Sequence, residues 1–220
     1  MTHRFESLDG LRAIACLLVI WQHVSESLVA HASGGLWATE QAAYFDFGRI
    51  GVVAFFCISG FVIPSSLRGG RVAGVRNFLI NRFFRLYPIY WLTIPLGILC
   101  VWTIWGRSPS AETVLGNLTM AMTFLGAEPI MGLYWTLEIE LCFYLLCAAL
   151  YLGFGNLRFP VLAAAFLVCN WIYREDLMLR TPGNLPLLFY FLSIMLASSC
   201  ARCAYELRPK SEKWIRALHW

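Results

Sequence analysis

The sequence predicts an all-α fold, a polytopic integral membrane helix bundle of six or seven transmembrane segments. Three observations carry that prediction. The 220 residues are 59% hydrophobic and only 14% charged, with a mean hydropathy of +0.64. The apolar residues fall in blocks rather than at amphipathic spacing, which excludes a soluble domain and leaves no reason to expect a nucleic-acid partner. Each block approaches the roughly 20 residues that a helix needs to cross the hydrocarbon core, and the chain holds six or seven of them with short loops.

In chain order the spacing predicts spans near 8–30, 47–67, 86–105, 112–126, 133–153, 157–173 and 185–203. The fourth is the weakest, because it is short and carries Asn117, Thr119 and Thr123. No repeat or linker breaks the pattern, so residues 1–205 read as one transmembrane domain and 206–220 as a charged tail. The formal charge of +4 comes from fifteen Arg and two Lys (Lys210 and Lys213). Such arginine dominance favours fixed contacts to phosphate, carboxylate or lipid headgroups.

Orientation follows from where the arginines lie. No acidic residue occurs between Asp46 and Glu112, and the connection after the second span carries Arg68, Arg71, Arg76, Arg82 and Arg85. By the positive-inside rule this connection is cytoplasmic, which places the N-terminus with Arg4 and Arg12 inside and the loop of Glu40 and Asp46 outside. The basic tail from Arg202 to Arg216 also asks for an inside C-terminus. Seven spans would put it outside, so either one segment is re-entrant or the count is six. The N-terminus imitates a secretory signal, with Ala30-His31-Ala32 as its cleavage site. Acidic Glu6 and Asp9 in the would-be basic region argue against that reading.

Of eight cysteines, Cys16, Cys57, Cys100, Cys142, Cys147 and Cys169 sit in apolar runs, where a free thiol behaves as a small hydrophobe. Cys200 and Cys203 form a lone CxxC with no further ligands spaced nearby, so no metal site is expected.

Four segments carry residues whose burial in a membrane needs a reason. Arg12 and His23 stand eleven residues apart in the first span. On a helix that spacing brings both to nearly one face, separated by about 16 Å along the axis. Neutral imidazole is the side chain best suited to general-base work at neutral pH, and Glu26 at i+3 could orient it. In Asn77-Phe-Leu-Ile-Asn-Arg82-Phe-Phe-Arg85-Leu-Tyr-Pro-Ile-Tyr-Trp91, two guanidiniums three apart are set to bind a polyphosphate by charge-assisted forks. The interleaved Phe83, Phe84, Tyr87, Tyr90 and Trp91 also read as an aromatic belt with snorkelling arginines. In Tyr134-Trp-Thr-Leu-Glu138-Ile-Glu140-Leu-Cys-Phe143-Tyr144 two carboxyls enter an apolar helix on different faces. At least one must face the interior, and an interhelical ion pair with Arg12 or Arg49 is the structural alternative to a catalytic role. The fourth segment, Gly48 to Ile63, holds small residues that favour close helix packing; Ser59 has no base spaced near it.

In this order the four segments resemble the membrane acyltransferase family three, the acyl-CoA-dependent O-acyltransferases of bacterial surface carbohydrates. The likeness runs from Leu8 to about Tyr144. It rests on LDGLRAIA, the Arg12–His23 pair, the block from Gly51 to Phe61, the Arg82-x-x-Arg85 pair followed by YPIYW, and the block from Trp135 to Tyr144. The resemblance implies that His23 is the catalytic histidine with Arg12 as its partner, and that Arg82 and Arg85 bind the donor coenzyme, with Arg12 adding a cation at the same cytoplasmic face. Glu140 takes the family's glutamate position, with the role of orienting or charge-balancing the histidine, and Glu138 is an extra carboxyl. It further implies acyl-CoA, in the first place acetyl-CoA, as donor and a carbohydrate or lipid-linked glycan hydroxyl as acceptor. The expected location is the bacterial inner membrane.

Family members usually continue for several more spans. A fragment, a shortened paralogue and a chain completed by homo-oligomerisation are the readings this leaves. Two other functions compete: a proton-coupled transporter using His23, Glu138 and Glu140 as a relay, and a non-catalytic degenerate relative. The two similar halves that many transporters show are not visible in this sequence.

Overall fold

The computed structural model describes residues 6–32, 46–103, 106, 108–179 and 185–206. Seven α-helices occupy them: α1 (Glu6–Ala32), α2 (Phe47–Val62), α3 (Arg71–Gly97), α4 (Ala111–Leu118), α5 (Tyr134–Phe154), α6 (Phe159–Leu179) and α7 (Leu185–Glu206). A 3-10 turn at Pro64–Ser66 follows α2, and a π-helical stretch at Ile98–Thr103 continues α3. No strand occurs among the described residues, so the all-helical expectation holds. Among the described residues five segments are long and apolar enough to cross a membrane: Leu8–Ser25, Phe47–Ser66, Arg71–Cys100, Tyr134–Phe154 and Leu187–Glu206. Helix α6 is of similar length but carries Arg174, Glu175 and Asp176. Glu40 and the tail beyond Glu206 lie outside the described residues.

Two expected spans are corrected. The segment at 112–126 is not a span: α4 has eight residues, about 12 Å of rise, and turns follow it. Its polar residues are used to knit those turns, as shown below. The helix that carries the span expected to start at 86 begins already at Arg71, so Arg71, Arg76, Arg82 and Arg85 lie on a helix rather than in a loop. The apolar residues Val75 and Phe78 and the small Gly74 recur at helical spacing on one face and are buried, which extends the helix through the arginine-rich stretch.

The chain divides into two compact units, Met1–Gly60 and Phe61–Trp220. In the first, Asp46 caps α2: its Oδ1 accepts from the backbone N–H of Arg49 at 2.7 Å, and its Oδ2 pairs with Arg49 Nε at 3.1 Å. Helices α1 and α2 approach closely through glycine. A Cβ added at Gly51 would lie 2.6 Å from the Ala15 carbonyl oxygen and 2.8 Å from a Val19 methyl; one at Gly48 would meet Gln22 at 2.8 Å. The packing reading of this block therefore holds. Gly51→Ala is expected to destabilise the protein by about 1–3 kcal/mol, because a backbone oxygen cannot step aside. Gly10→Ala, where a Cβ meets nothing within 4 Å, is the control. Comparing their Tm values in detergent checks this; equal values would contradict it.

In the second unit α3 and α5 run antiparallel, tied at three levels. Near one end Tyr151 donates to the Gly69 carbonyl at 2.8 Å and Arg71 to that of Gly153 at 3.4 Å. In the middle the Phe78 and Tyr144 rings meet edge to face at 5.8 Å. At the far end the Tyr90 and Tyr134 rings lie 4.8 Å apart. Gly155 closes α5 in the left-handed conformation (φ 73°) that favours glycine. Helix α7 packs against α6, with Tyr173 and Tyr190 rings 5.9 Å apart, and against α5 through Trp135 and Phe191.

Candidate active site

Arg12 and His23 lie on the uninterrupted helix α1. Ala15 and Gln22 are buried along the stripe that meets α2, while His23 is exposed beside it. Arg12 is half-buried and donates from Nη1 to Asp9 Oδ1 at 3.2 Å, so an acidic neighbour one turn back shares its charge.

Arg82 is held differently. Its Nη2 donates to Ser66 Oγ at 2.8 Å, and its guanidinium carbon lies 5.3 Å from the centre of both the Phe78 and the Tyr144 ring. These partners are neutral, and among the described residues no carboxylate makes a salt bridge with it. Arg82 is therefore fixed in position without a salt-bridge partner to offset its charge among the described residues. Arg85, one turn on and exposed, adds a second charge on the same helix. Arg82 and Tyr144 border a cavity of about 420 Å³ whose other walls are apolar, including Leu79, Phe83, Leu86 and Leu141. That volume falls within the range of small-molecule sites.

The two carboxyls of α5 separate as their spacing requires. Glu140 Oε1 accepts from the Tyr144 hydroxyl at 2.5 Å, one turn along the same helix. Glu138 is buried and serves the loop after α4: its Oε1 accepts from the Thr123 N–H at 2.9 Å and its Oε2 from the Thr123 hydroxyl at 2.5 Å. Within its own unit, Glu138 takes the amide and hydroxyl of Thr123 as partners; within the other, Arg12 pairs with Asp9 and Arg49 with Asp46.

The aromatic residues after Arg85 do more than line an interface. Tyr90, Trp91 and Tyr87 donate in turn to the carbonyls of Asn117, Leu118 and Thr119, at 2.5, 3.0 and 2.9 Å. The last carbonyls of a helix have no partner within it, and in an apolar medium they must find one. Three side chains of α3 therefore cap α4. Asn117, fully buried, completes the arrangement: its amide donates to the Thr113 and Glu128 carbonyls, both at 2.8 Å, and its Oδ1 accepts from the Ile130 N–H at 3.0 Å. Met120, Met122 and Ile130 from this segment then pack with Tyr90, Ile94, Trp102 and Tyr134.

Sequence reasoning missed Ser66, Phe78 and Tyr144 as the holders of Arg82, and Asn117 and Thr123 as the anchors of the loop. Tyr144 at i+4 from Glu140 was a readable signal, since that spacing makes helix neighbours. Ser66 was not, because only the 3-10 turn after Pro64 brings it to Arg82. Among the described residues no three of His, Cys, Asp and Glu come together as a metal site would need, and Cys203 Sγ lies 3.6 Å from the Leu157 carbonyl oxygen.

Comparison with known proteins reaches most of the chain. A family model described as "Acyltransferase domain" matches residues 5–210. The exopolysaccharide production protein ExoZ of Rhizobium meliloti is 29% identical over 59% of this chain and 43% of its own length. The putative peptidoglycan O-acetyltransferase YrhL of Bacillus subtilis is 26% identical over 86% of this chain and 31% of its own. The peptidoglycan O-acetyltransferase OatA of Listeria monocytogenes is 26% identical over 83% and 27%. The chain spans less than half the length of these relatives. No solved structure matches it. With its apolar helices and a family match across nearly all of its residues, this chain belongs to the membrane acyltransferase family that its four motifs resemble.

Proposed function

We propose that this protein transfers an acyl group, in the first place acetyl, from acyl-CoA to a hydroxyl of a cell-envelope carbohydrate or lipid-linked glycan. The observation that carries this reading is Arg82, a guanidinium fixed by neutral partners, unneutralised, with Arg85 one turn on and a 420 Å³ cavity beside it. Held charge of that kind suits the phosphates of a coenzyme, which forked guanidiniums bind well. Arg12, its charge shared with Asp9, is the weaker third cation of the donor site.

In this mechanism His23 takes the proton from the acceptor hydroxyl as its oxygen attacks the thioester carbonyl, and the CoA thiolate leaves. Glu140 provides the counter-charge for the imidazolium that results. Direct transfer is the simpler course; an acyl-histidine intermediate is the alternative, since imidazole is also a nucleophile. The donor is made in the cytoplasm, so the reading places the arginines at the cytoplasmic face of the inner membrane with the N-terminus inside. The relatives' names, exopolysaccharide production and peptidoglycan O-acetyltransferase, support an envelope glycan as acceptor.

Arg82→Ala and Arg85→Ala are each expected to raise the KM for acetyl-CoA by about tenfold, the loss of one charge-assisted contact, with a smaller effect on the KM for acceptor. Steady-state kinetics in nanodiscs with labelled acetyl-CoA checks this. A change confined to acceptor affinity would remove both residues from the donor site.

A further inference from the structure

Arg82 has to be held still and yet stay charged. A carboxylate would do the first at the expense of the second, since it would compete with the phosphate that the site is to bind. Aromatic faces do both: the ring quadrupole attracts a cation but carries no net charge. Arg82 lies over two such faces, Phe78 and Tyr144, each 5.3 Å away, while those rings brace one another edge to face at 5.8 Å. Tyr144 is fully buried, so its ring is fixed by packing as well. Its hydroxyl donates to Glu140 at 2.5 Å. A phenol that donates to a carboxylate gains electron density in its ring, and this strengthens the hold on a cation above it. The negative charge of Glu140 thus reaches Arg82 through a neutral ring rather than by neutralising it.

We propose that Tyr144 is a positioning residue for the donor site, which cradles Arg82 on its ring and couples it to Glu140 through its hydroxyl. The inference rests on Arg82 binding the phosphates of acyl-CoA. Two parts of the side chain then have separable effects. The ring governs how tightly the coenzyme is held; the hydroxyl governs how Glu140 is oriented.

The test is equilibrium binding of coenzyme A to the full chain in nanodiscs, alongside acetyl-transfer kinetics. Tyr144→Leu removes the ring and is expected to weaken coenzyme A binding and raise the KM for acetyl-CoA about tenfold, the scale of a desolvated cation–ring contact. In an Arg82→Ala background it adds nothing further to either, because the group it positions is gone. Tyr144→Phe keeps the ring and is expected to change binding less than about threefold while kcat falls. A residue that merely supported the fold would move KM and kcat together and lower the amount of inserted protein in both variants. Tyr144→Leu with unchanged coenzyme A binding overturns the proposal, as does Tyr144→Phe weakening binding as much as Tyr144→Leu. If Tyr144→Leu fails to insert, Phe78→Leu removes the opposite ring face; unchanged binding there overturns the cradle equally. Wild-type protein that binds no coenzyme A would instead defeat the proposed function itself.

Discussion

Replacing His23 by alanine is expected to abolish acetyl transfer while the protein still inserts and folds. His23 is exposed on α1, beside rather than within the stripe of Ala15 and Gln22 that packs on α2, so its removal leaves no cavity in that contact. General-base catalysis by a positioned side chain contributes about 10²–10⁴-fold, so turnover with labelled acetyl-CoA should drop by at least that amount with little change in coenzyme A affinity. Membrane fractionation and an unchanged Tm would confirm insertion and folding. Acetyl transfer retained at near wild-type rate would remove His23 from the reaction. The same variant separates the two mechanisms. If wild type, given donor without acceptor, accumulates an acetyl label that His23→Ala does not, the acyl-histidine route is in use; with no label in either, the transfer is direct.

How much of this was legible beforehand depends on whether a residue acts through its local spacing or through what the fold brings to it. Blocks of apolar residues placed α1, α2, α5 and α7 within a few positions, because the hydrophobic length of a span is a local property; α6, whose charged end keeps it from being long and apolar enough to cross, runs six residues past the expected 173. The pairing of Arg82 with Arg85 and the separation of Glu138 from Glu140 were also local, since helix geometry fixes both. Ser66 and Arg82 come together only because a 3-10 turn after α2 meets α3, and no spacing rule reports that. The segment at 112–126 misled for a physical reason. Its apolar Met120 and Met122 are buried in the core with Ile130 and the aromatic residues of α3 and α5, where they give the same composition signal as a span. Its polar residues, Asn117 and Thr123, looked like weaknesses of a span and are instead what holds the turns together. The YPIYW aromatics show the same ambiguity: an interfacial belt and a set of helix caps use the same side chains, and only the carbonyls of α4 distinguish them.

Asn117→Ala is expected to be among the most destabilising single changes in the second unit. The amide satisfies three backbone groups at once, the carbonyls of Thr113 and Glu128 and the N–H of Ile130, and it is fully buried. Alanine leaves the Glu128 carbonyl and the Ile130 N–H without that partner, while the Thr113 carbonyl keeps its bond within α4; each buried orphan costs about 1–3 kcal/mol, so a total of several kcal/mol follows. The effect spreads because the Asn117 carbonyl also receives Tyr90, whose ring packs on Tyr134 in the core between α3 and α5. Tm in detergent should fall by roughly 10 °C or more, and proteolysis should open the turns between α4 and α5. Asn117→Asp should be no better, despite its equal size. One carboxylate oxygen can still accept from Ile130, but the other would face two carbonyl oxygens where the amide N–H groups now donate. Asn81→Ala, an exposed change on α3, should leave Tm within about 1–2 °C and serves as the reference. If Asn117→Ala melts with that control, the turns are held by Met120, Met122 and Ile130 alone, and the hydrogen bonds are incidental to their stability.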